Sequence, residues 1–287
     1  MSGVTVSLRN GSVTTRFETW EQEMRLSVLC LSFIVAAAGP AMAASCGNNG
    51  SGFEKWKASY AEVARAEGVG RKGLAALEDT KYSTATIKAD RAQHSFKLSL
   101  DEFMEKRGAA TIVRQGRKLK QQNAKLFAQL EKRYGVPAGP LIAIWGMETA
   151  FGSYMGKQNT VSAVATLAYD CRRPEFFREQ LIAALRLVDE GVLSSSSVGA
   201  MHGEVGQTQF LPKNVFLYGA DGDGGGINLN KKADALASTA NFLKGHGWQR
   251  GKGYQPGQPN FVALQGWNAA SVYQQALAIM GRQIDGD

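Results

Sequence analysis

The sharpest hydrophobic pattern along the chain lies at residues 139–152. Pro137 and Pro140 sit where prolines are tolerated, at the start and first turn of a helix. Leu141, Ile144, Trp145 and Glu148 then recur at i, i+3, i+4 and i+7, with Phe151 three residues further on. That spacing sets an acid on the apolar stripe of one helix face. Similar periodicity elsewhere predicts a mainly α protein. Phe53, Trp56, Tyr60 and Val63 keep helical spacing up to the breaker Gly68-Val69-Gly70, and a second helix is expected around 72–77. Residues 90–96 read as an extended or loop segment. Between Lys106 and Arg133 stand nine basic residues and one acid, Glu131, with Leu119, Leu126, Phe127 and Leu130 as an apolar stripe. This reads as one amphipathic helix with a cationic outer face. Further helices are expected over 160–168, over 176–190 with Phe177, Leu181, Leu185 and Val188 inward, over 233–244 and over 271–280. Residues 260–264 read as a short extended piece. Residues 199–212 are small and polar, and such a long loop in a helical chain is a candidate site wall.

Composition places the chain among ordinary globular proteins, with 287 residues, 44% of them hydrophobic and 20% charged. The net charge is +8. It survives removal of the first 43 residues, where Arg9, Arg16 and Arg25 balance Glu18, Glu21 and Glu23. A basic surface suits nucleic acid, an anionic membrane or a cell-wall polymer. Apart from Phe127 on the apolar stripe, no aromatics interleave with the basic residues of 106–133, which disfavours nucleic acid.

Residues 24–43 have the pattern of a secretory signal peptide: a basic start at Arg25, an apolar run, and Ala41-Met42-Ala43 as a cleavage site. Because 23 residues precede it, the simplest account takes Met24 as the true start and 1–23 as a non-native extension. Residues 44–52 then form a linker, and 53–287 the main domain. Cys30 leaves with the signal. Cys46 and Cys171 remain, and in an exported chain a single disulfide between them is expected. Lipidation of Cys46 is disfavoured, because Ala43-Ala44-Ser45 lacks the large aliphatic residue such a site requires. The three histidines His94, His202 and His246 are scattered, and no metal-ligand cluster stands out.

A carboxyl group among apolar side chains has its charged form disfavoured, so Glu148 should hold its proton toward neutral pH and be able to donate it. A buried structural acid paired with an Arg or Lys is the alternative that position alone leaves open.

Several blocks, in order, carry a resemblance: Trp145-Gly-Met-Glu-Thr-Ala-Phe-Gly152, Met155-Gly-Lys157, Arg172-Arg-Pro-Glu-Phe-Phe177, Gly199-Ala-Met201, Gly206-Gln-Thr-Gln-Phe-Leu-Pro212 and His246-Gly-Trp248. Together they resemble the lytic murein transglycosylase B family, from about residue 53 to 280. The resemblance implies a lysozyme-like helical domain with a long site-lining loop. It implies cleavage of the β-1,4 bond between N-acetylmuramic acid and N-acetylglucosamine, with closure of a 1,6-anhydro ring. Its substrate would be peptidoglycan glycan strands, met in the periplasm with transient contact with the cell envelope. It names neither a secretion-machinery nor a divisome partner. Glu148 matches the single catalytic acid/base. Gln209 and Asn268 match polar residues lining the cleft, the latter near the acetamido group. The serine preceding Gly199 matches Ser196 or Ser197, and Arg172 and Arg173 match a basic pair facing the acidic stem peptide. Tyr169 and Trp267 are candidates for stacking on sugar rings.

Two departures stand out. The insert His202-Gly-Glu-Val-Gly206 brings Glu204 toward the site, where a second acid could position water for lysozyme-type hydrolysis. A non-catalytic wall-binding scaffold is the alternative from another class. Asp221-Gly-Asp-Gly-Gly-Gly226 resembles the calcium loop of some relatives, with Asp221 and Asp223 at positions 1 and 3. Gly225 and Lys232 stand at positions 5 and 12, the latter where a bidentate acid is needed. A plain Asp/Gly turn, with no cofactor, is therefore expected.

Overall fold

The computed structural model describes residues 45–92 and 98–286. The expectations for the extension 1–23, the signal 24–43, Cys30, His94 and positions 93–96 lie outside these residues. The fold is mainly α, as the periodicity predicts. Helix α1 (Phe53–Ala66), α2 (Arg71–Glu78) and α3 (Thr84–Arg91) open the chain, α3 capped by the Ser83 side chain on Thr86 N–H. Residues 90 and 91 thus close a helix rather than lying in a loop.

The basic stretch is not one helix but parts of three. Helix α4 (Leu100–Lys106) starts with a capping box between Ser99 and Glu102. At Gly108 the backbone turns left-handed, with φ 67°, before α5 (Ala109–Gln122). Asn123, at φ −118°, then breaks α5 from α6 (Ala124–Tyr134), its own amide bonding back to the Leu119 carbonyl. The apolar stripe continued across this break, and so hid it.

Helix α7 (Ala138–Thr149) follows. Every residue of it except Glu148 is buried, so it is a central helix and not the amphipathic one that a single stripe suggested. Strand β1 (Gln158–Asn159) leads into α8 (Thr160–Tyr169), capped by Asn159, and α9 (Pro174–Asp189) begins with proline in its first turn. Strand β2 (Val198–Gly199) pairs antiparallel with β1, Gln158 opposite Gly199, and ties down the start of the long loop. The chain closes with α10 (Pro212–Tyr218), α11 (Lys232–Gly245), α12 (Phe261–Trp267) and α13 (Ser271–Asp285). Helix α12 replaces the extended piece expected at 260–264: Ala263 and Leu264 face the core while Val262 is exposed.

Two apolar cores result. One joins α1 and α2 to α8 and α9 through Phe53, Trp56, Tyr60, Leu167 and Leu181. The larger surrounds α7 with α5, α11, α12 and α13. Helices α7 and α13 run close because glycine faces glycine: a Cβ on Gly139 would stand 2.2 Å from the Gly281 carbonyl oxygen. Asp285 closes that end, accepting from Gly139 N–H at 2.8 Å and Lys120 Nζ at 3.1 Å. A disulfide joins Cys46 to Cys171 across 125 residues and fixes the N-terminal segment beside α8, where Gly47 N–H bonds to the Tyr169 carbonyl. Among the described residues no helix is long and apolar enough to cross a membrane.

Candidate active site

Glu148 lies one residue from the C-terminus of α7, partly exposed on a helix that is otherwise buried. Two donors converge on its Oε1: the Trp267 indole N–H at 2.9 Å and the Tyr273 hydroxyl at 2.5 Å. With both bonds on Oε1, the carboxyl proton belongs on Oε2. Burial pushes the acid above its ordinary range, against the Tyr273 and Trp267 hydrogen bonds and the positive charge of Arg107, while the negative charge of Glu204 adds to the push. Tyr273 is buried, and desolvation together with Glu148 holds its hydroxyl well above its usual value, so it remains a donor.

The donors are themselves fixed. Trp267 meets Phe210 and Phe242 edge-on, with ring centroids 5.3 and 5.2 Å away. Tyr273 packs at 5.9 Å from Phe103. Gln207 fastens the long loop to α7, its Oε1 accepting from the Trp145 indole at 2.9 Å and its carbonyl from the Thr149 hydroxyl at 2.5 Å. The chain leaves α7 under strain: Ala150 and Phe151 have φ 47° and 63°, and Gln209 across the loop has φ 54°. They are the non-glycine residues with positive φ among those described, and such positions cost about 1–3 kcal/mol each.

The other expected site residues divide. Gln209 is partly buried in the loop, its amide donating to the Gly206 carbonyl at 2.9 Å. Asn268 directly follows Trp267, and its Oδ1 accepts from Ala270 N–H at 2.9 Å. Ser196 is exposed, whereas Ser197 is partly buried and its carbonyl holds Thr160 N–H, so either side chain stands beside the β1–β2 pair. Arg172 and Arg173 are both engaged with Asp90, a buried carboxylate: Arg172 Nη1 lies 2.6 Å from Asp90 Oδ2, and Arg173 Nη2 bonds to Oδ1. Their charge is spent within the fold in part, although each side chain is 39% exposed.

Tyr169 is not a stacking platform. It is 4% exposed and caged by Phe53, Trp56 and Tyr82, in the core away from Glu148. Trp267 serves Glu148 with its N–H. Glu204 takes both of its close bonds from His202, through the backbone N–H at 3.0 Å and Nδ1 at 3.2 Å. Burial alone would raise this acid, but the His202 bonds lower it below its ordinary value.

Sequence reasoning passed over Tyr273, Gln207, Thr149 and Arg107. Tyr273 and Thr149 lie within helices, and nothing local reveals which partner a buried hydroxyl finds.

The acidic turn gathers one residue more than expected: Asp221, Asp223 and Asp234 bring carboxylate oxygens within 4.8 Å of one another. Asp221 already accepts N–H bonds from Asp223, Gly224 and Gly226, and Asp234 accepts them from Gly222 and Asn228. Lys231 Nζ lies 3.2 Å from Asp223. Lys232 is turned to Asn123 instead of closing the loop. Gly225 and Lys232 still offer no side-chain oxygen ligand at positions 5 and 12, and Lys231 competes for Asp223.

Comparison with known proteins gives a consistent picture. The family described as Transglycosylase SLT domain matches residues 52–258. Membrane-bound lytic murein transglycosylase B of Escherichia coli (strain K12) is 38% identical over 137 residues, which cover 44% of this chain and 38% of that protein. The chain therefore matches well under half of that relative's length. SltB3 of Pseudomonas aeruginosa in complex with NAG-anhNAM-pentapeptide superposes with a TM-score of 0.75 at 29% identity, covering 83% of this chain and 80% of that one. Its complex with NAG-NAM-pentapeptide gives 0.76 at 29% identity, with 83% and 81% covered. The Escherichia coli lytic transglycosylase Slt35 in complex with calcium, at 22% identity, TM-score 0.69 and coverage of 84% and 96%, shares the fold.

Proposed function

Because the chain belongs to the transglycosylase SLT-domain family and has its lysozyme-like helical fold, we propose that it is a peptidoglycan lytic transglycosylase with Glu148 as its single acid/base. The observation that carries this reading is the Glu148 carboxyl itself, desolvated and bonded at Oε1 by Trp267 and Tyr273.

The proton on Oε2 passes to the glycosidic oxygen as the bond from C1 of N-acetylmuramic acid breaks, releasing the N-acetylglucosamine hydroxyl. The neighbouring 2-acetamido oxygen supports the positive charge at C1. The Glu148 carboxylate, held by the same two donors, then takes the proton of the C6 hydroxyl as O6 bonds to C1. The 1,6-anhydro ring closes and the acid regains its proton, with no water consumed. A second carboxylate is not needed, as in substrate-assisted glycosidases.

Gln209 and Asn268 would offer amide groups to the sugar, with Ser196 or Ser197 at the far end of the loop and Arg172 and Arg173 toward the peptide. The signal-like segment 24–43 supports action in the periplasm. The engagement of both Glu204 oxygens by His202 supports anhydro closure over water activation.

Glu148→Gln keeps shape and acceptor but removes the proton. Release of soluble muropeptides should fall by at least about 10²–10⁴-fold, the usual worth of a general acid. Mass spectrometry of the wild-type digest should show anhydro ends. Reducing ends throughout would establish a muramidase instead, and undiminished release by the variant would remove Glu148 from the chemistry. Retained binding without release by the variant excludes a pure scaffold.

A further inference from the structure

Arg107 ends α4 with its side chain exposed. Its guanidinium lies 5.4 Å over the Phe103 ring, and Phe103 packs against Tyr273, the hydroxyl donor to Glu148. Its positive charge acts on both Glu148 and Tyr273. Yet no carboxylate neutralises it among the described residues. Other basic side chains are differently placed: Arg91, Arg172 and Arg173 share Asp90 and Asp170, Lys120 pairs with Asp285, and Arg117 bonds to the Gln283 carbonyl. The undescribed segment 93–97 that precedes α4 contains no acid.

Resting on the reading of the site given above, we propose that Arg107 is a specificity-determining residue that binds a carboxylate of the acidic peptide borne by the glycan strand. Three features support this. Stacking on Phe103 pre-orients a planar guanidinium whose fork matches a carboxylate. Gly108, at φ 67°, turns the chain directly after it, and a Cβ there would meet nothing within 4 Å among the described residues. Finally, a lone cation near a general acid works against protonation of that acid. A substrate carboxylate seated on Arg107 would cancel this pull, so the acid would hold its proton best when the strand is in place. The cation would then select peptide-bearing strands and couple their arrival to the state of Glu148.

The test compares wild type, Arg107→Gln and Arg107→Lys on two substrates: native murein sacculi, and sacculi whose carboxyl groups have been converted to amides with carbodiimide and ammonia. Binding is read by co-sedimentation and turnover by muropeptide release, at low and at high salt. On native sacculi the Gln variant should bind and turn over about tenfold less well, the worth of one charge-assisted hydrogen bond. Lys should restore part of the loss, and high salt should narrow the gap. On amidated sacculi the Gln variant should bind as wild type does, and its release should be no lower, since the pull on Glu148 has gone with the cation. An equal change on both substrates, with a displaced pH profile, would show that Arg107 acts only through Glu148 and would overturn the proposal. So would undiminished binding and turnover on native sacculi. If wild type forms no anhydro product, the transglycosylase reading fails separately, and the binding comparison still decides the role of Arg107. Both substitutions are at an exposed position, and thermal unfolding checks that the variants remain folded.

Discussion

Replacing Tyr273 with Phe removes one oxygen atom from the structure and, with it, the 2.5 Å bond to Glu148 Oε1. The ring stays, so packing against Phe103 and the dryness around the acid are kept. The lost bond favours the carboxylate over the neutral acid. A hydrogen bond to a charged group is worth about 1.5–3 kcal/mol and one between neutral groups about 0.5–1.5. The difference, about 1–1.5 kcal/mol, corresponds to roughly one pH unit at about 1.4 kcal/mol per unit. Burial already places the acid above its ordinary range, and Tyr273 opposes that shift. Its removal therefore raises the acid further. Since donation requires the proton, the alkaline limb of kcat/KM against pH should move upward by about one unit. Muropeptide release at a series of pH values, under single-turnover conditions, measures this. A limb that stays in place, or moves down, would refute the claim that Tyr273 holds the charged form. Thermal unfolding of the variant guards against a trivial loss of fold.

Other expectations follow from the same contacts. Breaking the Cys46–Cys171 staple with paired serines should lower the urea midpoint by the equivalent of about 2–5 kcal/mol, since the closed loop is long; no change would mean that the segment stays docked without it. Asp90 is held below its ordinary range although burial alone would raise it, because Arg172 and Arg173 outweigh that cost. Its stabilisation is present above the unfolded carboxylate value and is lost as pH falls through the lower folded value. Asp90→Asn should thus cost about 1–3 kcal/mol near neutrality, discounted for the exposure of the arginines, and the gap from wild type should close below about pH 4. Because Lys231 pairs with Asp223 and a lysine stands at position 12 of the loop, millimolar calcium should raise the melting temperature by less than about 1 °C; a rise of several degrees would reveal a bound cation.

Much of the frame was legible because burial leaves a period in the sequence. Phe53, Trp56 and Tyr60 announced α1, and Phe177, Leu181 and Leu185 announced α9. The centre of the fold was harder. Helix α7 is apolar on every side, so the stripe through Leu141 and Trp145 captured only one of its faces. What did survive was the anomaly: one acid in an otherwise buried helix. Its surroundings could not be read locally. Tyr273 and Trp267 reach Glu148 from 125 and 119 residues away; nothing marked Tyr273, and Trp267 was expected to offer its ring to a sugar rather than its N–H to the acid. The arginine pair hid a partner for a related reason, since the acid that engages it, Asp90, lies 82 residues upstream of Arg172.

The glycine contact between α7 and α13 has a reach beyond its own neighbourhood. Gly139 and Gly281 touch at one end of two antiparallel rods, while Glu148 and Tyr273 meet at the other, nine residues along α7 or roughly 14 Å at helical rise. Wedging the first end apart with a larger side chain pivots the second. A substitution that never nears a sugar could therefore silence the enzyme by letting the acid drift out of tune, and a map of inactivating changes drawn on this protein would extend the full length of that seam.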